Sequence, residues 1–331
     1  MSAGDLVLRA EDVVKHFPIR DSLFGSSGKI HAVDGVTLDL HEGEVVGVVG
    51  ESGCGKSTLA NMFMLLERPT SGRILYRGKD ISTFSKQESR TYRRQVQMVF
   101  QDTFGSLDPR MTIADVLKEP FTVHRDMLPK AQWNDRVREL LALVGLDPDH
   151  ANRFPHQFSG GQRQRICIAR ALALGPKVVV CDEPVSALDV SVQAQVINLL
   201  KDLRDEFGLS YVFVAHDLSV VRQIADVVAV MYLGQIVEIG AESDVLLHPS
   251  HPYTQALVSA LPTPDAQGHM VGKRIVVTGE LPSPSDPPSG CRFRTRCWLA
   301  QPRCASEVPA LIDRGTGRPA ACHFVDVASA S

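Results

Sequence analysis

The sequence lacks any apolar run near the roughly 18 residues that a membrane-crossing helix needs. Its strongest candidates, such as Val45–Val49 and Val227–Met231, are strand-sized. It also lacks an excess of either charge. Its 35 Lys+Arg against 38 Asp+Glu leave a formal net charge of −3, which argues against wholesale nucleic-acid binding and leaves room only for a local basic patch. The opening Met1-Ser2-Ala3-Gly4-Asp5 has neither a basic n-region nor an apolar h-region, so no secretory signal is expected and the cytosol is the default compartment. There is no internal repeat and no long low-complexity tract. What remains is an ordinary soluble composition, 331 residues with 44% hydrophobic and 22% charged. That length suits about two domains and a sizeable core.

Two textures divide the chain. Residues 1–245 alternate short β-branched runs with helical periodicity, which predicts an α/β domain with a mostly parallel sheet. Strands are expected at Val45–Val49, Val178–Cys181, Tyr211–Ala215, Val227–Tyr232 and Gln235–Ile239. Val196, Leu199, Leu200, Leu203 and Phe207 make one helical stripe; Val137, Leu140, Leu141 and Val144 make another, closed by Gly145. Strand character is thin over about 84–175, so a mainly helical subdomain is expected there. Residues 246–331 hold 11 of the 20 prolines and four of the seven cysteines, and read as a separate, loop-rich C-terminal extension.

The strongest local signal is Gly50-Glu51-Ser52-Gly53-Cys54-Gly55-Lys56-Ser57-Thr58, a G-x4-G-K-S match between the strand Val45–Val49 and a helix-compatible run from Leu59. Its glycines turn backbone N–H groups inward around phosphate oxygens, and the helix start adds partial positive charge. Lys56 can reach the β- and γ-phosphates, and the Ser57 hydroxyl can coordinate Mg2+. Further on, Val178–Cys181 leads into Asp182 and Glu183 at the carboxyl end of a parallel strand. Asp182 is a candidate Mg2+ ligand and Glu183 a candidate to orient or deprotonate the attacking water, although two such acids can also cap a helix. Ser159-Gly160-Gly161-Gln162 opens a second helix with exposed N–H donors. Alone, Gln101 after Val96–Phe100 and His216 after Tyr211–Ala215 carry little, since a lone His at a strand end is as readily structural.

Together these residues resemble the ATPase subunit of an ATP-binding cassette (ABC) transporter, with elements in family order across residues 6–245. The resemblance implies a P-loop ABC-type nucleotide-binding domain. Gln101 becomes the Q-loop and a further Mg2+ contact, Ser159–Gln162 the signature, and Asp182 and Glu183 the Walker B acids. Ser186-Ala187-Leu188-Asp189 becomes the D-loop, Asp189 lying at the nucleotide interface, and His216 the catalytic switch. Phe17 matches the aromatic that stacks on adenine, a contact worth about 0.5–1.5 kcal/mol. Phe158 stands where the family more usually has Leu, both apolar. The family implies a head-to-tail pair in which each ATP lies between the phosphate loop of one subunit and the signature of the other. A membrane subunit would dock at Gln101 and the helical subdomain.

His248-Pro249-Ser250-His251-Pro252-Tyr253-Thr254, followed by Gln255–Leu261 and Pro262, resembles the extension of bacterial oligopeptide, dipeptide and nickel importer ATPases. The insertion between Phe17 and Val33, with Pro18, Gly25 and Gly28, and Ser106–Thr112 after the Q-loop, fit that branch. Structurally the His-Pro-Tyr segment is expected to be a capped turn before a short helix. The resemblance implies peptide import, with a nickel or other small-solute importer as the alternative. It further implies a second ATPase subunit, two permease subunits, an extracytoplasmic solute-binding protein, no nucleic acid, and a peripheral place on the cytoplasmic face of the inner membrane. A soluble ABC ATPase of nucleic-acid metabolism would show coiled-coil insertions, zinc modules or tandem cassettes, and the sequence has none.

Cys291, Cys297, Cys304 and Cys322 are spaced C-x5-C-x6-C-x17-C. A cytosolic setting disfavours disulfides, and the spacing matches neither zinc knuckles nor ferredoxin motifs. Four thiols in a core-poor segment nonetheless call for a staple. Some importer relatives carry a [4Fe–4S] cluster on a similar set, which makes that cluster the leading expectation, with Zn2+ and unligated or disulfide-bonded thiols as alternatives. Arg292, Arg294, Arg296 and Arg303 could offset thiolate charge or be solvated. Nothing in the sequence ties the four thiols to phosphate chemistry, so a structural or regulatory role is expected. Cys167 and Cys181 should pack as small apolar groups, and Cys54 reads as a tolerated small residue in the phosphate loop.

Overall fold

The computed structural model of the chain describes residues 4–19, 28–102, 105–261, 274–314 and 318–325. Gly25 of the N-terminal insertion and Pro262 lie outside these residues. The strands are β1 (Leu6–Pro18), β2 (Lys29–His41), β3 (Val45–Val49), β4 (Ser71–Tyr76) and β5 (Lys79–Asp80), then β6 (Val96–Val99), β7 (Val178–Asp182), β8 (Ser210–Ala215), β9 (Val227–Tyr232) and β10 (Gln235–Ala241). The chain forms two compact units, one of Leu6–Leu40, Val45–Ser82 and Ala215–Ser331, the other of Met1–Asp5, His41–Glu44 and Thr83–Val214.

In the first unit, β2, β1, β4 and β5 lie side by side in that order, β4 antiparallel to both β1 and β5. The sequence did not predict these strands. β1 mixes buried Val7, Leu8, Ala10 and Val13 with partly exposed charged Arg9, Glu11 and Lys15, so its apolar signal is diluted. In the same unit β3 runs parallel to β9, and β10 returns antiparallel on β9. Every residue of β3 is buried, as its unbroken Val-Val-Gly-Val-Val run requires of a strand covered on both faces.

The second unit sets β6, β7 and β8 parallel, with Val178 opposite both Val96 and Ser210. Strand character over 84–175 is thin, as expected, β6 being the one strand among the described residues there. At four residues it is too short to show a period, and it is held as a strand by pairing with β7. Around these strands lie helices Lys86–Gln95, Ile113–Val123, Trp133–Leu143, Gly160–Leu172 and Val190–Phe207. Val137, Leu140, Leu141 and Val144 are buried as expected, and Gly145 follows at φ 69°. On Val190–Phe207 the buried face is Val196, Ile197, Leu200 and Leu203; Phe207 is 42% exposed. The buried face keeps Val196, Leu200 and Leu203 of the predicted stripe and adds Ile197, while Phe207, in the last turn before the left-handed Gly208, is exposed.

The proline-rich C-terminal residues form loops that pack within the first unit. Their anchor is Glu238 on β10, fully buried, whose carboxylate accepts the Ser250 N–H at 2.7 Å and the His251 N–H at 2.8 Å. Burial nonetheless holds its pKa above the usual carboxylate value, outweighing those hydrogen bonds. Pro319–Ala321 runs along the same strand, with Ala321 N–H donating to Val237 O at 2.8 Å and Ile239 N–H to Pro319 O at 3.1 Å. His251 caps the helix Pro252–Ser259, its Nδ1 accepting the Tyr253 N–H at 3.0 Å, which is the capped turn the sequence suggested. Complete burial pushes the His251 pKa down to about 3, so the ring is the neutral acceptor a cap requires. Glu238→Ala should strand two buried N–H donors and cost about 2–4 kcal/mol; the chemical-denaturation midpoint of the full chain checks this.

Candidate functional site

In the first unit β3 ends at Val49 and the helix Lys56–Phe63 begins seven residues on. Between them the backbone must turn tightly. Gly55 sits at φ 110°, and a Cβ there would come 1.9 Å from the Ala32 carbonyl oxygen, so no other residue fits. The helix start has no side-chain cap and no acid in its first turn. Its N–H donors and partial positive charge therefore form an anion site. Lys56 is only 4% exposed, and its Nζ donates to the carbonyls of Gly50 at 2.8 Å and Glu51 at 3.0 Å, which replace the lost water. Ser52, Gly53 and Ser57 are exposed and Thr58 is half-buried. Cys54 is buried, its thiol pushed up in pKa by that burial despite neighbouring Lys56, in keeping with a small packing residue. Phe17 ends β1, half-buried, with the Lys15 Nζ 4.8 Å from its ring centre. His216 belongs to this unit, exposed just beyond the end of β8.

The acid groups and Gln101 lie in the second unit. Asp182 is the last residue of the wholly buried β7 and faces Val214 across the parallel pairing. Glu183 follows at φ 46°, an uncommon conformation for a side-chain-bearing residue that costs on the order of 1–3 kcal/mol. It is held there by its N–H to Val214 O at 2.9 Å and by the Ser186 hydroxyl donating to its carbonyl at 3.1 Å. Gln101 Nε2 donates to Glu183 Oε2 at 2.9 Å, which joins the residue after β6 to the candidate catalytic carboxylate. Sequence spacing of 82 residues gave no sign of that contact.

Ser159 caps the helix Gly160–Leu172 in a reciprocal pair with Gln162. The Ser159 hydroxyl accepts the Gln162 N–H at 3.3 Å, and the Gln162 side chain accepts the Ser159 N–H at 3.0 Å. Phe158 is buried as the anchor of this turn. A Cβ on Gly161 would meet Val192 at 2.4 Å, so that glycine is needed for packing as well. Asp189 caps the helix Val190–Phe207, accepting the Ser191 hydroxyl at 2.7 Å and the Val192 N–H at 3.0 Å, and these bonds hold its pKa below the usual carboxylate range. The sequence had not anticipated that cap.

One contact could not be foreseen from spacing. The cysteine-bearing segment is tied to the phosphate loop. Arg296 Nη1 pairs with the Glu51 carboxylate at 2.9 and 3.1 Å, and the Glu51 N–H donates to the Tyr253 hydroxyl at 2.9 Å. Rings of Tyr232, Tyr253 and Phe293 pack 4.7–5.4 Å apart beneath these contacts. The four arginines do not serve as thiolate counter-charges either. Arg292 pairs with Asp34, Arg296 with Glu51 and Arg303 with Glu307, while Arg294 donates to Ser289 O. Carboxylates within reach captured guanidiniums that the sequence placed only near cysteines.

All seven thiols are free. Cys167 and Cys181 are buried, as expected of packing residues. Burial, with a smaller contribution from the neighbouring cysteines, pushes Cys291 and Cys297 up to about 11. Among the described residues, the group of three or more side chains placed to hold a metal ion is His16, His31 and Asp34, whose ligand atoms lie within 4.8 Å of one another, and not these cysteines. Cys291 N–H donates to Cys304 O at 2.8 Å, and Cys304 and Cys322 are buried.

Residues 33–186 match the family model for ABC transporters, and residues 237–304 match that for the C-terminal region of oligopeptide/dipeptide transporters. The chain is 51% identical to the oligopeptide transport ATP-binding protein AppF of Bacillus subtilis, over 97% of this chain and 98% of that one. It is 51% identical to OppF of Salmonella typhimurium, over 92% of both. With the dipeptide transport ATP-binding protein DppF of Escherichia coli the identity is 48%, over 97% of this chain and 95% of that one. Among solved structures, the dimeric post-hydrolysis state of the ATP-binding cassette MJ0796 bound to ADP and Pi aligns with a TM-score of 0.62 at 31% identity, over 71% of this chain and 98% of that one.

Glu183→Gln should retain binding of a fluorescent ATP analogue while phosphate release falls about 100-fold or more. Release within threefold of the parent removes Glu183 from its assigned role.

Proposed function

The chain belongs to the ABC transporter ATPases, in the oligopeptide/dipeptide branch, and from that premise we propose how its residues divide the work. It is an ATPase that uses ATP and Mg2+ and powers peptide import as the nucleotide-binding subunit of a complex with membrane permeases. No helix among the described residues is long and apolar enough to cross a membrane. The permeases, a solute-binding protein outside the membrane and a peripheral site on the cytoplasmic face of the inner membrane complete the assembly we propose.

Two such subunits, identical or related, clamp ATP head to tail. Gly50, Ser52, Gly53, Cys54, Gly55 and Thr58 of one subunit wrap the phosphates with backbone donors, and Lys56 meets the β- and γ-phosphates. Phe17 stacks on the base. Ser159, Gly160, Gly161 and Gln162 of the other subunit close over the γ-phosphate, with Asp189 beside them. The dimeric, ADP- and Pi-bound relative supports this pairing. So does Val190, an apolar side chain 81% exposed next to Asp189. Ser57, Gln101 and Asp182 are the oxygen donors suited to Mg2+, a hard cation that would neutralise charge developing on the phosphates. Glu183 takes a proton from the attacking water, and His216 steadies the γ-phosphate.

The observation that carries coupling to transport is the 2.9 Å bond from Gln101 to Glu183. A groove of about 630 Å3 follows Gln101 in the chain, lined by Ser106, Leu107, Pro109, Met111, Glu119 and Arg170. A permease segment seated there would act on the residues next to Gln101, and through Gln101 on the base. Purification in mild detergent should bring down two multispan permease subunits, and the complex should hydrolyse ATP faster when peptide-loaded binding protein is added. Recovery of the chain with nucleic-acid enzymes instead would overturn the reading.

We further propose that Cys291, Cys297, Cys304 and Cys322 hold a [4Fe–4S] cluster. Four thiolates suit a cubane, each binding a separate iron, and would equally suit a zinc ion. Bound there, the cluster would supply four iron–thiolate bonds that staple a segment poor in core. Anaerobically purified protein should contain about four iron and four sulfide per chain; stoichiometric zinc, or folded protein free of metal, excludes the cluster.

A further inference from the structure

Glu51 is held at three points, and hydrolysis of ATP accounts for only one of them. Its carbonyl oxygen receives the Lys56 ammonium at 3.0 Å, inside the phosphate loop. Its N–H donates to the Tyr253 hydroxyl at 2.9 Å, and its carboxylate takes Arg296 at 2.9 Å. Both outer partners are well fixed. Tyr253 is fully buried, and the Arg296 side chain is 11% exposed, its guanidinium 3.4 Å from the Tyr232 hydroxyl.

A second tie lies alongside. Gly234 N–H donates to Cys54 O in the loop at 2.8 Å. The preceding Leu233, at φ 42°, offers its carbonyl to Arg292, which also pairs with Asp34, and Asp34 N–H closes the circuit on Gly234 O at 2.8 Å. Arg292 and Arg296 fall within one run, Cys291-Arg292-Phe293-Arg294-Thr295-Arg296-Cys297.

We infer that Arg296, Tyr253 and Arg292 are positioning residues for the phosphate loop, acting through Glu51 and the Leu233–Gly234 turn. Tyr253 fixes the plane of the peptide that precedes Glu51, and so the direction in which the loop's donors point. Arg296 neutralises a carboxylate that would otherwise repel an arriving triphosphate. Whatever fixes Cys291 and Cys297 also fixes the two arginines between them, so the extension sets how well the loop receives nucleotide. This goes beyond the transport reading and stands whichever occupant the thiols take.

The test measures affinity for a fluorescent ATP analogue with Mg2+ on the full-length chain, purified anaerobically, with thermal melting recorded for every variant. Arg296→Ala should raise Kd about fivefold or more, and Arg296→Lys should recover part of the loss. In a Glu51→Gln background, Arg296→Ala should change Kd less than twofold, because the carboxylate it answers is gone. Tyr253→Phe, which removes one oxygen, should weaken binding about threefold or more. Arg303→Ala, whose partner is Glu307, should leave Kd unchanged. A lower melting temperature with Kd within twofold of the parent means a merely structural role and overturns the inference. Additive losses in the Arg296→Ala, Glu51→Gln pair overturn it too. If Arg296→Ala does not fold, Arg296→Lys and Tyr253→Phe carry the same comparison.

Discussion

An uncapped helix start at Lys56 is the constraint around which much of this molecule is arranged. A triphosphate brings several negative charges that no single lysine can meet, so backbone N–H groups must do much of the binding. Leaving them available means leaving the helix without a cap, and bending the chain through Gly55 where even a methyl group would strike the Ala32 carbonyl. Lys56 must be buried yet charged, and the carbonyls of Gly50 and Glu51 serve where water cannot.

The carboxylate that follows β7 meets a different demand. Glu183 has to follow a wholly buried strand and still present its carboxylate, and the backbone accepts a strained turn to do so. Bonds from its neighbours hold the turn, and Gln101 reaches the carboxylate itself. That bond links a residue after the neighbouring strand β6 to the Glu183 carboxylate, a physical route by which events near Gln101 can reach that carboxylate.

The C-terminal extension builds order from few apolar residues by using carboxylates as fixed points. Glu238 gathers two backbone donors of the His-Pro-Tyr turn. The Glu51 carboxylate holds Arg296, and its backbone N–H donates to the Tyr253 hydroxyl. The aromatic rings of Tyr232, Tyr253 and Phe293 fill the space between. A segment with so many prolines cannot knit a sheet of its own, and these side-chain bonds take the place of a ladder.

The phosphate loop, the acids after β7, the second helix start at Ser159 and the His-Pro-Tyr cap were all legible as residues, because each depends on contacts within a few positions of the chain. The buried parallel strands were equally plain, since runs such as Val-Val-Gly-Val-Val leave no other reading. β1, β2 and β4 were hidden by charged and polar residues interleaved with their apolar ones, and β6 by its brevity. Sequence alone therefore determined the family and singled out the candidate residues. Tertiary structure alone decided their partners: Gln101 on Glu183, Arg292 on Asp34, and Arg296 and Tyr253 on Glu51. Those pairs span from 82 to 258 positions, and nothing in local spacing encodes which charge a folded chain will bring within reach.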